Sequence, residues 1–167
     1  MVQTSLFMHG SAYFSPDRKH RYALFRTWEE GKQVNFIGLN PSTATETVDD
    51  PTIRRCIRFA QAWGYGCLVM TNIFALRSTD PAGLKADAPV GPENDESLVK
   101  CARESDLVVC AWGVHGEYLE RGKQVETMLR EIAELRVFDL TRKGFPRHPL
   151  YLPKTAMHMA WNKINQL

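Results

Sequence analysis

Apolar positions in this chain fall into short continuous runs separated by stretches where they recur at helical spacing. Val34–Leu39, Leu68–Ile73, Asp106–Trp112 and Arg136–Leu140 are runs of strand length, as expected of strands covered on both faces. Behind the first run, Ile53, Cys56, Ile57 and Ala60 form a stripe at helical spacing. Asp49-Asp50-Pro51-Thr52 starts that helix, with Asp50 suited to the N-cap and Pro51 to the first helical position. Gly64 and Gly66 end it. Glu93–Ser105 reads as a second helix, and a long helical stretch runs from the Gly113–Gly116 turn to near Leu135. A C-terminal helix is expected around Met157, Trp161 and Ile164. Residues 11–27 read as a β-hairpin turning at Ser15-Pro16-Asp17.

Strands alternating with helices predict a three-layer α/β/α fold around a central four-stranded, mostly parallel sheet. The hairpin adds an N-terminal extension over residues 1–30, and the whole of 1–167 reads as one domain. Crossovers in such a sheet are right-handed. Ligands bind beyond the carboxyl ends of the strands, where strand order reverses. Four strand exits therefore carry the functional interest. Asn40 follows the first, with Pro41 stopping the strand and Ser42 next. Asn72 lies at the second, beside Phe74. His115 follows the third and His148 the fourth. Two amides and one or two imidazoles would converge on one crevice.

Composition narrows the reading only slightly. A length of 167 residues with 44% hydrophobic and 24% charged residues is ordinary for a soluble domain with a core of its own. No apolar run has the length of a membrane helix, and the N-terminal residues lack the pattern of a signal peptide, so a cytoplasmic protein is expected. The formal net charge of +2 permits contact with nucleic acid without arguing for it. The tail is more basic locally, where Arg142, Lys143, Arg147 and Lys154 fall within thirteen residues. These four are candidate nucleic-acid contacts, against the reading of a solvated basic loop. Cys56, Cys67, Cys101 and Cys110 form no C-x-x-C pair and read as buried free thiols.

Common cofactor signatures are missing. The sequence has no phosphate-binding G-x-x-x-x-G-K-[ST], and Gly64-Tyr-Gly66 precedes a strand instead of opening a helix. It has no G-x-S-x-G elbow, and its histidines are scattered without zinc-ligand spacing. No cofactor, metal or iron–sulfur cluster is expected.

Gly38-Leu-Asn-Pro41 resembles the first motif of the uracil-DNA glycosylase superfamily, in the form used by its mismatch-specific branch. Val69-Met-Thr-Asn-Ile-Phe74 resembles that superfamily's second strand, and Asp106–Gly113 its third. His148-Pro-Leu-Tyr-Leu152 is similar to its closing His-Pro-Ser-x-Leu loop. The four stand in the superfamily's order over about residues 34–153. The stretch Asn40–Gly66 also resembles an uncharacterised bacterial and phage family, which implies no function.

The superfamily resemblance implies a base-excising enzyme acting on DNA. Asn72 would read the edge of a flipped, pyrimidine-type base, since an amide offers both a donor and an acceptor. His148 would donate to the departing base, and Leu152 would be the apolar wedge that fills the vacated stack. Asn40 would position the attacking water. The uracil-specific branch has a catalytic Asp at that place, and an amide cannot replace it as a base. Asp49 and Asp50 are the nearest acids; with Asp50 capping a helix, Asp49 is the expected spare carboxylate. Phe74 could stack on the base, and the turn at His115 could bind phosphate through the N-terminus of the next helix.

The leading expectation is a glycosylase-like enzyme hydrolysing the N-glycosidic bond of a modified or mismatched base, acting as a monomer on single- or double-stranded DNA. A base- or nucleotide-modifying enzyme on the same fold and a non-catalytic nucleic-acid-binding module are the alternatives.

Overall fold

The computed structural model describes residues 8–86 and 88–162. Seven strands form one mixed sheet: β1 (His9–Phe14), β2 (Arg21–Thr27), β3 (Gln33–Gly38), β4 (Cys67–Asn72), β5 (Leu107–Cys110), β6 (Leu135–Val137) and β7 (Met159–Ala160), in the order β1-β2-β4-β3-β5-β6-β7. The helices are α1 (Pro51–Ala62), α2 (Asn94–Glu104) and α3 (Arg121–Arg130).

The four strands expected from the apolar runs are the parallel centre, β4-β3-β5-β6. The sheet is wider than the expected four strands. The hairpin does not stand apart: β2 pairs antiparallel with β4, with Leu24 opposite Met70. At the other edge, β7 pairs antiparallel with β6, and Arg136 lies opposite Ala160. The expected C-terminal helix is therefore replaced, at Met159–Ala160, by a two-residue edge strand; Ile164 lies outside the described residues. The long helical stretch after Gly116 is also interrupted. Val114–Glu120 is a kinked 3-10 segment, and α3 begins only at Arg121.

Each strand of the parallel centre sends alternate side chains to opposite faces, as a period of two requires. Val34, Phe36, Leu68, Met70 and Val109 pack against Ile53, Cys56, Ile57 and Ala60 of α1. Ile37, Val108 and Cys110 pack instead with Leu98 of α2 and with Val125 and Leu129 of α3. Helices thus cover both faces of the sheet. The helix α1 starts where local chemistry dictates. The Asp50 carboxylate accepts from the Ile53 N–H at 2.9 Å, and Pro51 takes a position whose N–H would have no helical partner.

From β3 the chain crosses to β4 on one side and later returns to β5 on the other. The order therefore reverses between β3 and β5, and a crevice opens at their carboxyl ends.

Candidate functional site

The crevice has a volume of about 530 Å³, within the usual range for small-ligand sites. All four expected strand exits reach it, through Asn40, Asn72, His115 and His148.

Asn72 closes β4 and is only 2% exposed, yet it lines the crevice. Its Nδ2 is buried without a hydrogen-bond partner among the described residues, and no described group donates to its Oδ1. An unmet buried donor of this kind costs about 1–3 kcal/mol unless a ligand or water completes it. Its backbone is held fast: Asn94, at the start of α2, donates from Nδ2 to the carbonyls of Asn72 (2.9 Å) and Ile73 (3.1 Å). Gly38 lies opposite Asn72 in the parallel register, and its missing side chain leaves room for the carboxamide.

Asn40 has a defined orientation. Its Nδ2 donates to the carbonyls of Ser78 (2.8 Å) and Pro41 (3.0 Å), so the nitrogen must face those oxygens. Its Oδ1, an acceptor, accepts nothing from the described residues and is left for the crevice. The Pro41 carbonyl also receives the Ser78 N–H at 2.8 Å. The proline is buried and belongs to this loop clasp, not to the crevice wall, contrary to its expected substrate contact. Ser42 does line the crevice.

His148 caps the 3-10 turn Pro149–Tyr151, its Nδ1 accepting from the Leu150 N–H at 3.2 Å. That bond places the ring proton on Nε2. Burial pushes the His148 pKa below its ordinary value, opposed in part by the Asp50 carboxylate. The ring is therefore a neutral Nε2–H donor on the crevice wall at neutral pH.

Several expected roles fall differently. Asp49 is not the free acid. It is bound to Arg26, whose Nε donates to Oδ1 at 2.9 Å, and it lies outside the crevice. The carboxylate that lines the crevice is Asp50, with Oδ1 engaged by the helix cap and no described partner on Oδ2. Phe74 is fully buried against Tyr118 on the α2–α3 side of the sheet and cannot stack on a ligand. His115 lines the crevice, but no α-helix N-terminus adjoins it; a 3-10 segment intervenes before α3. Leu152 lines the crevice, but it is half-buried against the α1-side core instead of projecting as a wedge. The projecting residues of that turn are Tyr151, 86% exposed, and Leu150, 38% exposed. Of the four late cations, Arg147 lines the crevice; Arg142, Lys143 and Lys154 are exposed away from its wall.

Two further crevice residues had no place in the expected site. Trp112, two residues beyond β5, is a buried wall whose indole stands edge-on to Trp161. Arg21, at the start of β2, is 2% exposed and also lines the crevice. Its Nη1 donates to the Ala44 carbonyl at 3.1 Å, and its Nε has no partner. Burial pulls the guanidinium down to about 10, with Asp50 opposing and Arg77 and Arg26 adding to the fall. It remains charged at neutral pH. The only hint in the sequence is an arginine opening an otherwise apolar run, Tyr22–Phe25.

Among the described residues, no group of three or more His, Cys, Asp or Glu side chains could hold a metal, and no helix is long and apolar enough to cross a membrane.

Fold and site together define an α/β protein with a mixed seven-stranded sheet and a polar crevice where strand order reverses. The chain belongs to the family described as a protein of unknown function, DUF1643, which matches residues 21–150. That span contains Arg21, Asn40, Asp50, Asn72 and His148. No curated protein and no solved structure matches the chain.

Proposed function

We propose that the protein is a glycosylase-like enzyme that hydrolyses the N-glycosidic bond of a modified or mismatched base turned out of DNA. The observation that carries this reading is Asn72, which lines the crevice with its backbone held by Asn94 and with a buried carboxamide nitrogen that has no partner among the described residues. Such an amide suits the donor–acceptor edge of a nucleobase, and it leaves its own hydrogen-bonding unmet until one arrives.

The remaining groups supply the other parts of the reaction. The bond from C1′ to the base nitrogen breaks, and its electron pair leaves with the base. The His148 Nε2–H donates to a base oxygen and spreads the developing charge, as a fixed neutral donor does in a site that excludes water. A water held by the Asn40 Oδ1 forms the new bond to C1′ and gives its proton to the Asp50 Oδ2. The departed base is protonated from solvent. Asp50 thus takes the role expected of Asp49, and it answers the lack of an acid at position 40. Exposed Tyr151 and Leu150 at the rim, instead of Leu152, are the side chains placed to meet flanking bases. Arg142, Lys143, Arg147 and Lys154 provide backbone contacts.

The test incubates the protein with oligonucleotides carrying uracil, mismatched and modified bases, and measures free base and alkali-labile sites. Base release that falls at least ~100-fold in both Asn72→Ala and His148→Asn supports the reading. Release from no substrate, or full activity in both variants, sinks it. Tight, salt-dependent DNA binding without release would identify a binding module instead.

A further inference from the structure

Arg21 is the group in the crevice that base excision leaves unexplained. A guanidinium carries five N–H donors in a fixed fork. Here one nitrogen meets the Ala44 carbonyl, Nε meets nothing, and no salt bridge is formed among the described residues. A buried charge is normally paired, because removing it from water is costly and only a close counter-charge and full hydrogen bonding offset that.

The surroundings do not neutralise it. Asp50 pulls on Arg21 from beyond salt-bridge distance, while its Oδ1 serves the α1 cap. Arg77 and Arg26 both press on Arg21 with like charge. Arg26 is balanced by Asp49, and the Arg77 side chain donates to the carbonyls of Ser42 and Arg18 with the Glu46 carboxylate in its field. The charged side chains of the crevice wall are two cations, Arg21 and Arg147, and one carboxylate, Asp50. Ser42 and Thr43 also line the crevice, and neither hydroxyl has a described partner. A guanidinium whose Nη2 has no described partner, together with these hydroxyls, suits an oxyanion.

We infer that Arg21 forms an anion subsite, so that the ligand of this crevice carries a phosphate or carboxylate group in addition to the base edge read by Asn72. The inference rests on the base-reading proposal for what else occupies the crevice, and it names the charge that reading left open. The anion has two possible sources: the phosphate of a nucleotide, or an acidic substituent on the base.

Equilibrium binding to the full chain separates them. One arm compares deoxyuridine monophosphate with deoxyuridine; the other compares single-stranded oligonucleotides with one 5-carboxyuracil or one thymine. At least a tenfold preference for the charged member of either pair is expected, and the arm that shows it identifies the source. In Arg21→Gln that preference collapses while the affinity for the neutral member stays. Arg21→Lys, which keeps the charge but not the fork, retains part of it. Arg21→Gln also loses the bond to Ala44, so its folding is checked by circular dichroism, and the comparison in the unaltered protein stands on its own if the variant unfolds. Equal affinity for charged and neutral members in both arms, or no binding in either, overturns the subsite. Asn72→Ala tests the other reading separately: a charged ligand that binds it as tightly as the unaltered protein refutes base reading and leaves the anion subsite standing.

Discussion

The Cα of Gly38 lies so close to the Asn72 side chain that a methyl group added there would stand 2.8 Å from Oδ1, and 2.7 Å from the Met70 Cε. Gly38 has no positive φ, so space and not backbone conformation requires the glycine. Both obstructing atoms end flexible side chains and can swing away. In Gly38→Ala the Asn72 carboxamide is therefore expected to turn out of its reading position, with a stability loss of about 1–2 kcal/mol from overpacking. Ligand affinity should fall at least ~10-fold, equivalent to about 1.4 kcal/mol. Calorimetric titration alongside urea unfolding checks the pair of values; unchanged affinity would show that the amide does not read the ligand.

The two neighbouring acids should separate cleanly. Asparagine caps a helix about as well as aspartate, so Asp50→Asn keeps the bond to the Ile53 N–H and removes only the charge. Base release is expected to fall ~100-fold or more, with a stability loss from the buried Arg21 guanidinium, which loses the carboxylate that supports its charge. Asp49→Asn instead weakens the pair with Arg26, which is 3% exposed but also donates to the carbonyls of Phe25, Thr45 and Val48. A stability loss of about 1–2 kcal/mol with unchanged turnover is expected there. Single-turnover rates and urea midpoints measured on both variants decide it, and a reversed pattern would restore Asp49 as the acid.

Histidine burial sets a pH dependence with a definite sign. The His148 and His158 pKa values are both lowered by burial, His148 against the pull of Asp50 and His158 with added repulsion from Arg136. The unfolded chain therefore binds protons that the folded chain refuses. The resulting penalty is absent above the unfolded pKa of about 6.5 and grows as pH falls from there toward the folded pKa values. Stability should rise between about pH 5 and pH 7. In His148→Asn, which can still accept from the Leu150 N–H, the rise should be shallower. Urea unfolding across that pH range measures the slope, and an unchanged slope in the variant would contradict the buried neutral ring.

Asn94 acts on the site through Asn72. Asn94→Ala leaves the buried carbonyls of Asn72 and Ile73 without their side-chain donor, a loss of about 1–3 kcal/mol. Hydrogen exchange should quicken at the end of β4 before it does in β3. Uniform loosening of both strands would mean that Asn94 serves the whole sheet and not this exit.

Local chemistry was legible in the sequence wherever a few adjacent residues decide it. The start of α1 follows from Asp50 and Pro51 alone, and the exits at Asn40, Asn72 and His148 are visible because polar residues interrupt apolar runs. The illegible parts depend on distant partners. β7 is two residues long and exists through its pairing with Arg136 and Val137. The choice between Asp49 and Asp50 is made by Arg26, which lies 23 residues before Asp49 in the sequence. Arg21 reads as a hairpin residue until its bond to the Ala44 carbonyl is seen to hold it in the crevice wall. Phe74 looked like a stacking partner because it neighbours Asn72, but the turn after β4 sends it to the opposite face.

The segment leading into α3 carries strain that can be removed. Leu119 (φ 54, ψ 21) and Glu120 (φ 53, ψ 25) are consecutive left-handed residues, a conformation that costs a side-chain-bearing residue about 1–2 kcal/mol. The first residue of α3 holds this conformation in place. Arg121 is buried and donates from Nε to the Ile73 carbonyl at 2.7 Å and from Nη2 to Asp95, which ties the loop to the end of β4. Glu120 is exposed and makes no side-chain cap bond, so its side chain contributes little to α3. In Glu120→Gly the relief of strain is opposed by the greater freedom of glycine in the unfolded chain. The net effect expected is a gain of up to about 1 kcal/mol, read as a higher urea midpoint at unchanged slope. A lower midpoint would mean that Glu120 makes a stabilising contribution through its side chain. Because His115 and Val114 of the same 3-10 segment line the crevice, ligand affinity measured on this variant also reports whether the strained turn holds that wall in place.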